Sequence, residues 1–122
     1  MKVVRMIPGP GDKSIMVDID LPTPDIFKGS MTRALKARDV QFFVHPHGMV
    51  LDWHGVTSPR FLIVLNGLLE IELGDGAKRR LGPGEFFLAE DMRGPGHISC
   101  NVGDGPLTVI TLLLTEFPFP AV

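Results

Sequence analysis

Turn chemistry constrains this chain more than any other feature. In LEIELGDGAKRRLGPGEFFLAED, Leu69 to Asp91, glycines cut the sequence into short apolar runs. Leu69, Ile71 and Leu73 alternate with Glu70 and Glu72, the period of a strand with one face buried. Gly74-Asp75-Gly76 then supplies the positive φ angles of a tight hairpin. AKRRL returns, LGPGE turns again, and EFFLAE makes the next strand. A second Gly-Asp-Gly, Gly103 to Gly105, precedes LTVITLLL. With 14 Gly and 11 Pro spread between such runs, the chain reads as all-β.

SIMVDIDLP and VQFFVH read as further strands, SMTRALKAR as a short helix, and FPFPAV as a proline-broken tail. A chain of 122 residues fits a single domain with its own core. The expected architecture is a small antiparallel barrel or jelly roll. Its core barrel spans about 39–115, and the strands of 1–38 pack on it. RFLIVL lacks alternation: Leu62 and Val64 on one face and Phe61, Ile63 and Leu65 on the other are all apolar. Both faces should therefore be buried. Either the N-terminal strands cover the outer face, or a homodimer does, and the dimer is the favoured expectation.

Bulk properties exclude several partners. A net charge of −2 leaves no electrostatic footprint for nucleic acid or an anionic membrane. Lys78-Arg79-Arg80 reads as a solvated strand face. The single cysteine, Cys100, forms no internal disulfide, suits a reducing compartment and reads as a small buried residue. Pro8, Gly9 and Pro10 break any signal-peptide core, and no apolar run approaches the ~20 residues that span a bilayer. A cytoplasmic protein is the simplest expectation.

HPHGMVLDWHG, His45 to Gly55, holds three of the four histidines. The H-x-H spelling of His45 and His47 suggests a metal grip, since i and i+2 on a strand share a side. The longer order changes that reading. A histidine, a strand ending in VLNG, a Gly-Asp-Gly hairpin, an LGPGE turn, a strand and then GPGHISCN together resemble the two motifs of the cupins. The resemblance covers roughly Asp52 to Leu114 and implies a cupin-type double-stranded β-helix (jelly-roll) barrel. Anchored on Gly67, it puts the first motif's first histidine on His54, its second on Val56 and its glutamate on Arg60. In the second motif Gly84 matches the opening glycine, His97 the histidine and Asn101 the asparagine. His45 and His47 lie too far upstream for the cupin pair and read as exposed strand-end residues, with Pro46 marking an edge.

Two of the family's four metal ligands are thus present, His54 and His97. Valine cannot ligate, and an arginine in the glutamate's place repels a cation and favours an anion. By strand parity Asp52 shares a face with His54, and Arg60 faces the same cavity. Glu90 and Asp91 stand where a long loop leaves its strand, at the expected barrel mouth. The reading assigns His54, His97, Glu90 and Asp91 to catalysis, and Asp52, Arg60 and Asn101 to a small, anionic ligand. Trp53 and Met49 are read as packing or interface residues. Three functions fit. One is a proton-transferring lyase, isomerase or decarboxylase acting on a small organic acid or carbonyl compound. A second is a metal-dependent enzyme whose His54 and His97 recruit a carboxylate around iron, manganese, nickel or zinc. The third is a non-catalytic metabolite-binding or accessory protein. A cofactor is accordingly either absent or a divalent metal.

Overall fold

The computed structural model describes residues 1–121. Among them are twelve strands: β1 (Lys2–Pro8), β2 (Ser14–Asp20), β3 (Asp25–Ile26), β4 (Gly29–Ser30), β5 (Ala37–His45), β6 (Val50–His54), β7 (Arg60–Asn66), β8 (Leu69–Glu72), β9 (Lys78–Leu81), β10 (Phe86–Ala89), β11 (His97–Asn101) and β12 (Leu107–Leu114). The one helical element described is a 3-10 turn at Pro10–Asp12. The helix expected over SMTRALKAR does not form. Gly29 and Ser30 are in β4, residues 31–36 have no regular structure, and Ala37 opens β5. The segment is largely exposed, so no packed face offsets the cost of helix nucleation.

The strands form a six-stranded sheet, β2-β1-β10-β7-β12-β5, facing a four-stranded sheet, β6-β11-β8-β9. This is a jelly-roll barrel, the fold class the sequence leads one to expect. The N-terminal strands join the barrel directly: β1 pairs with β10 in parallel and β2 lies antiparallel outside β1. The β8–β9 hairpin forms as expected, with Glu70 opposite Arg80 and Glu72 opposite Lys78. Only Gly76 of its Gly-Asp-Gly takes a positive φ, +88°. Gly74 serves differently, because a Cβ there would stand 2.8 Å from the Ser14 backbone nitrogen. No described helix is long and apolar enough to cross a membrane.

Strand alternation builds two apolar layers. Met6, Val64, Phe87, Ala89 and Val109 point between the sheets, against Leu69, Ile71 and Leu73. Burying a side chain such as Phe87 or Ile71, both fully enclosed, stabilises the fold by roughly 1.5–3 kcal/mol. Phe61 and Leu88, register partners across β7 and β10, point to the opposite side of the six-stranded sheet. There Leu21, Leu35 and Phe119 pack over them. So the all-apolar RFLIVL strand has a physical explanation within one chain, at its β10 side. Toward β5 the same outer face is open, with Val40 54%, Phe42 70% and Val44 62% exposed.

Beneath that outer layer Arg5 and Glu90 form a buried ion pair. Arg5 donates through Nε and a terminal nitrogen to the two Glu90 oxygens at 2.6 and 3.1 Å, and gives a third bond to the Pro120 carbonyl. Its guanidinium also lies over the Phe119 ring. A groove of about 430 Å³ beside this pair is lined by Met92, Arg93 and Phe117. Its two buried charges are already satisfied by one another.

Candidate functional site

A cavity of about 190 Å³ lies between the sheets, and His54, Arg60 and His97 all face it. His54 ends β6 and His97 begins β11, and the two are direct register partners. Their rings meet with centroids 4.4 Å apart at a 55° tilt. The approach depends on Gly96, whose φ is +78° and where a Cβ would overlap the His54 carbonyl oxygen.

Each imidazole is held through Nδ1, so Nε2 is its free nitrogen. His54 Nδ1 donates to the Asp52 carbonyl at 2.7 Å. His97 is 3% exposed, and its Nδ1 donates to Asp91 Oδ2 at 2.6 Å. The same oxygen accepts the Ser14 hydroxyl at 2.9 Å. Asp91 is fully enclosed, and its Oδ1 has no partner among the described residues. Ser14–Asp91–His97 is therefore a buried polar chain reaching from β2 into the cavity. Ser14 escaped the sequence reading, because only the folding of β2 against residues far along the chain brings it there.

Arg60 faces the cavity as expected from its place in the motif. Its Nε donates to the Ser58 carbonyl at 3.2 Å and a terminal nitrogen to the Thr57 hydroxyl at 3.1 Å. No carboxylate pairs with it among the described residues. Burial, then the neighbouring Arg38 charge, lowers its proton affinity below the usual arginine value, while Asp91 pulls the other way. Guanidinium stays charged through that range. The cavity thus carries a partly buried cation that forms no ion pair with a carboxylate among the described residues.

Four sequence expectations need correction. Asp52 does not line the cavity. The β6–β11 register slips between His97 and Ser99, so Leu51 pairs with Ser99 while His54 pairs with His97. This bulge makes Leu51 and His54 share the inner face, and the Asp52 carboxylate instead accepts its neighbour Trp53's backbone N–H. Glu90 does not reach the cavity either: it is outward by strand parity and bound to Arg5. Asn101 is committed to loops, its amide donating to the Pro46 and Gly105 carbonyls at 3.0 and 2.9 Å and its oxygen accepting from Gly103 N–H. Asp91 stands not at the barrel mouth but enclosed behind His97.

Other residues also differ from their expected places. His45 lines the cavity, stacked on Phe43 with centroids 4.2 Å apart, and burial lowers its pKa. Its alternation with Gln41 and Phe43, which line the cavity too, was the signal available in the sequence. His47 is exposed, as expected, and contacts the Gly103 carbonyl. Met49 packs on the core, whereas Trp53 is 44% exposed. Cys100 is half-buried rather than enclosed. Lys78, Arg79 and Arg80 form an exposed strand face, each near a carboxylate.

The residues present do not fit the four-ligand metal centre that the motif resemblance implies. Val56 has no donor, Arg60 brings positive charge, and Asp91 already holds His97 and Ser14. Among the described residues no group of three or more His, Cys, Asp or Glu side chains is arranged to hold a metal ion.

Solved structures share this architecture. One is a protein described as a sugar phosphate isomerase of the cupin superfamily from Silicibacter pomeroyi (19% identity, TM-score 0.52, covering 63% of this chain and 50% of that one). A second is the cupin domain of an XRE-family transcriptional regulator from Enterobacter cloacae (20%, 0.51, covering 65% and 82%). A third is the capsular polysaccharide assembling protein CapF from Staphylococcus aureus (18%, 0.51, covering 81% and 30%). The chain thus spans half of the first protein's length and under a third of the CapF chain. No family model and no curated protein matches the sequence. At these identities the likeness establishes the cupin fold and leaves the chemistry to the site's own residues.

Proposed function

We propose that this cupin-fold chain binds a small organic anion in its barrel cavity and moves a proton on it. The observation that carries this reading is Arg60, a cavity-facing guanidinium bonded to neutral oxygens and, among the described residues, to no carboxylate. A carboxylate ligand would complete its charge and match its paired donors. A cavity of about 190 Å³ favours a molecule of a few carbons.

His97 is the proton carrier in this reading. With Nδ1 donating to Asp91, its Nε2 is free to take a proton from a carbon beside the ligand's carbonyl. The C–H electron pair passes into an enolate, and the Asp91 charge balances the imidazolium formed. His54, fixed through its own Nδ1, presents a second Nε2 as acceptor for a ligand hydroxyl. Return of the proton to a different atom completes an isomerisation. A protein described as a sugar phosphate isomerase shares the fold, which is compatible with this chemistry without assigning it. The unfilled ligand positions at Val56 and Arg60 weigh against the metal-dependent reading.

Solvent-deuterium incorporation into small 2-oxo acids, followed by proton NMR, tests the proposal. Protein-dependent exchange of at least one acid is expected, lost in His97→Gln and kept in Cys100→Ser. Absence of exchange across the panel, or exchange untouched by His97→Gln, overturns it.

A further inference from the structure

Two hydroxyls stand on the inner wall of the barrel without a protein partner. Ser99 on β11 is 7% exposed, Thr111 on β12 is 8% exposed, and both line the cavity. Neither hydroxyl bonds to a protein group among the described residues. Neither is sealed off as Asp91 Oδ1 is, so both open onto the cavity space. Enclosing a hydroxyl without a partner costs stability, and alanine or valine would pack the same wall at no such cost. Gln41, the register partner of Thr111 on β5, adds an amide to the same row of the cavity lining.

Register sets where these groups stand relative to Arg60. Arg60 pairs with Leu113 of β12, and Thr111 lies two positions along that strand, on the inward side that Arg60 shares. Diagonal neighbours of this kind are about 7–8 Å apart, a span that a long side chain and a small ligand can bridge. Ser99 belongs to the facing sheet, two positions after His97 and also inward. A carboxylate held at Arg60 therefore has the Thr111 hydroxyl on its own wall, and Ser99 and His97 on the facing one.

We propose that the cavity's ligand is a short hydroxylated carboxylate, whose hydroxyls next to the carboxylate bond to Thr111 and Ser99. This rests on the anion reading of Arg60 and narrows it from organic acids in general to hydroxy and hydroxy-oxo acids. The proton chemistry asks for the same group. When His97 Nε2 takes a proton from a carbon beside a carbonyl, a hydroxyl on that carbon makes the intermediate an enediol. The hydroxyl's own proton then passes to the former carbonyl oxygen, and the carbon-bound proton returns to the former carbonyl carbon. Carbonyl and hydroxyl have exchanged places, with no oxidant or reductant consumed.

Calorimetric titration of the full chain with glycerate, lactate and propanoate tests the inference, because these acids carry two, one and no hydroxyls. Each hydroxyl is expected to tighten binding roughly 5-fold, the effect of one net neutral hydrogen bond. Thr111→Val and Ser99→Ala should each remove one of these steps without weakening propanoate, whose affinity reports that the variant cavity is intact. Equal affinities of the parent for the three acids overturn the inference; if Arg60→Gln weakens all three, the anion reading survives it. A gradient that both variants preserve also overturns it, since the hydroxyls are then recognised elsewhere. Loss of propanoate binding in both variants does so too, because Ser99 and Thr111 would then shape the cavity instead of reading the ligand. Binding of none of the three acids overturns this inference and the anion reading together.

Discussion

His54 and His97 sit opposite one another in the β6–β11 ladder with ring centroids 4.4 Å apart, yet their Nδ1 atoms are anchored to different kinds of oxygen. His54 leans on a neutral backbone carbonyl, and His97 on a buried carboxylate. In the proton-transfer proposal this difference is the reason for assigning the carrier role to His97: a buried carboxylate faces that ring and only a backbone carbonyl faces His54.

Asp91→Asn isolates that contribution. The amide oxygen can still accept from His97 Nδ1–H but brings no negative charge. Proton exchange on the responsive acid should fall about 100-fold, the lower range of a positioned acid–base group. Affinity for the same acid, measured by calorimetry, should stay near the parent's. Loss of binding together with exchange would show that Asp91 shapes the cavity instead.

Arg60→Gln should produce the opposite split. Charge-assisted bonds contribute about 1.5–3 kcal/mol, so carboxylate affinity should drop roughly 10- to 100-fold. Arg60→Lys should recover part of it, because the charge is kept and the paired geometry is not. Calorimetric titration of both variants with one acid checks the order parent, Lys, Gln; equal affinities would remove Arg60 from the ligand's surroundings.

The Arg5–Glu90 pair, with side chains 5% and 2% exposed, predicts a marked asymmetry in stability. Arg5→Leu strands a buried carboxylate and should cost about 3–5 kcal/mol in chemical denaturation. Arg5→Leu with Glu90→Leu should recover most of that loss, since two apolar groups in one buried site need no compensation. A double variant as unstable as the single one would mean that the bond to the Pro120 carbonyl is the larger contribution.

Cys100 supplies a pH prediction. Burial first, then the charges of Glu70 and Glu72, push its thiol pKa up, with Lys78 opposing. A raised pKa means less thiolate at any given pH, and thiolate is the reactive form. Alkylation near neutral pH should therefore run slower than for an unstructured cysteine peptide, and its rate–pH curve should lie at higher pH. Glu72→Gln should move the curve back toward lower pH.

The legible parts of the fold were those written in local chemistry. Alternation in LEIEL and the glycines after it fix a hairpin whatever surrounds them, and β8 and β9 pair accordingly. Parity also contained more than was drawn from it: in EFFLAED, Phe87, Ala89 and Asp91 share the inner face, which separates Asp91 from Glu90. Two features had no local signature. Ser14 reaches Asp91 across 77 positions of sequence, so nothing near Ser14 announces it. The bulge in β6 is a matter of count, invisible in residue type, and it reversed the roles of Leu51 and Asp52.

That bulge also makes the ladder, and not the count of residues, the determinant of chemistry. Leu51 and His54 stand three positions apart on β6 opposite partners two apart on β11, so removing Asp52 or Trp53 would close the bulge and still leave both side chains on the inner face. A single-codon deletion there should keep the imidazole aimed into the cavity, as should most substitutions at Asp52 or Trp53. In this segment the pairing with β11, more than composition, governs which group the cavity presents.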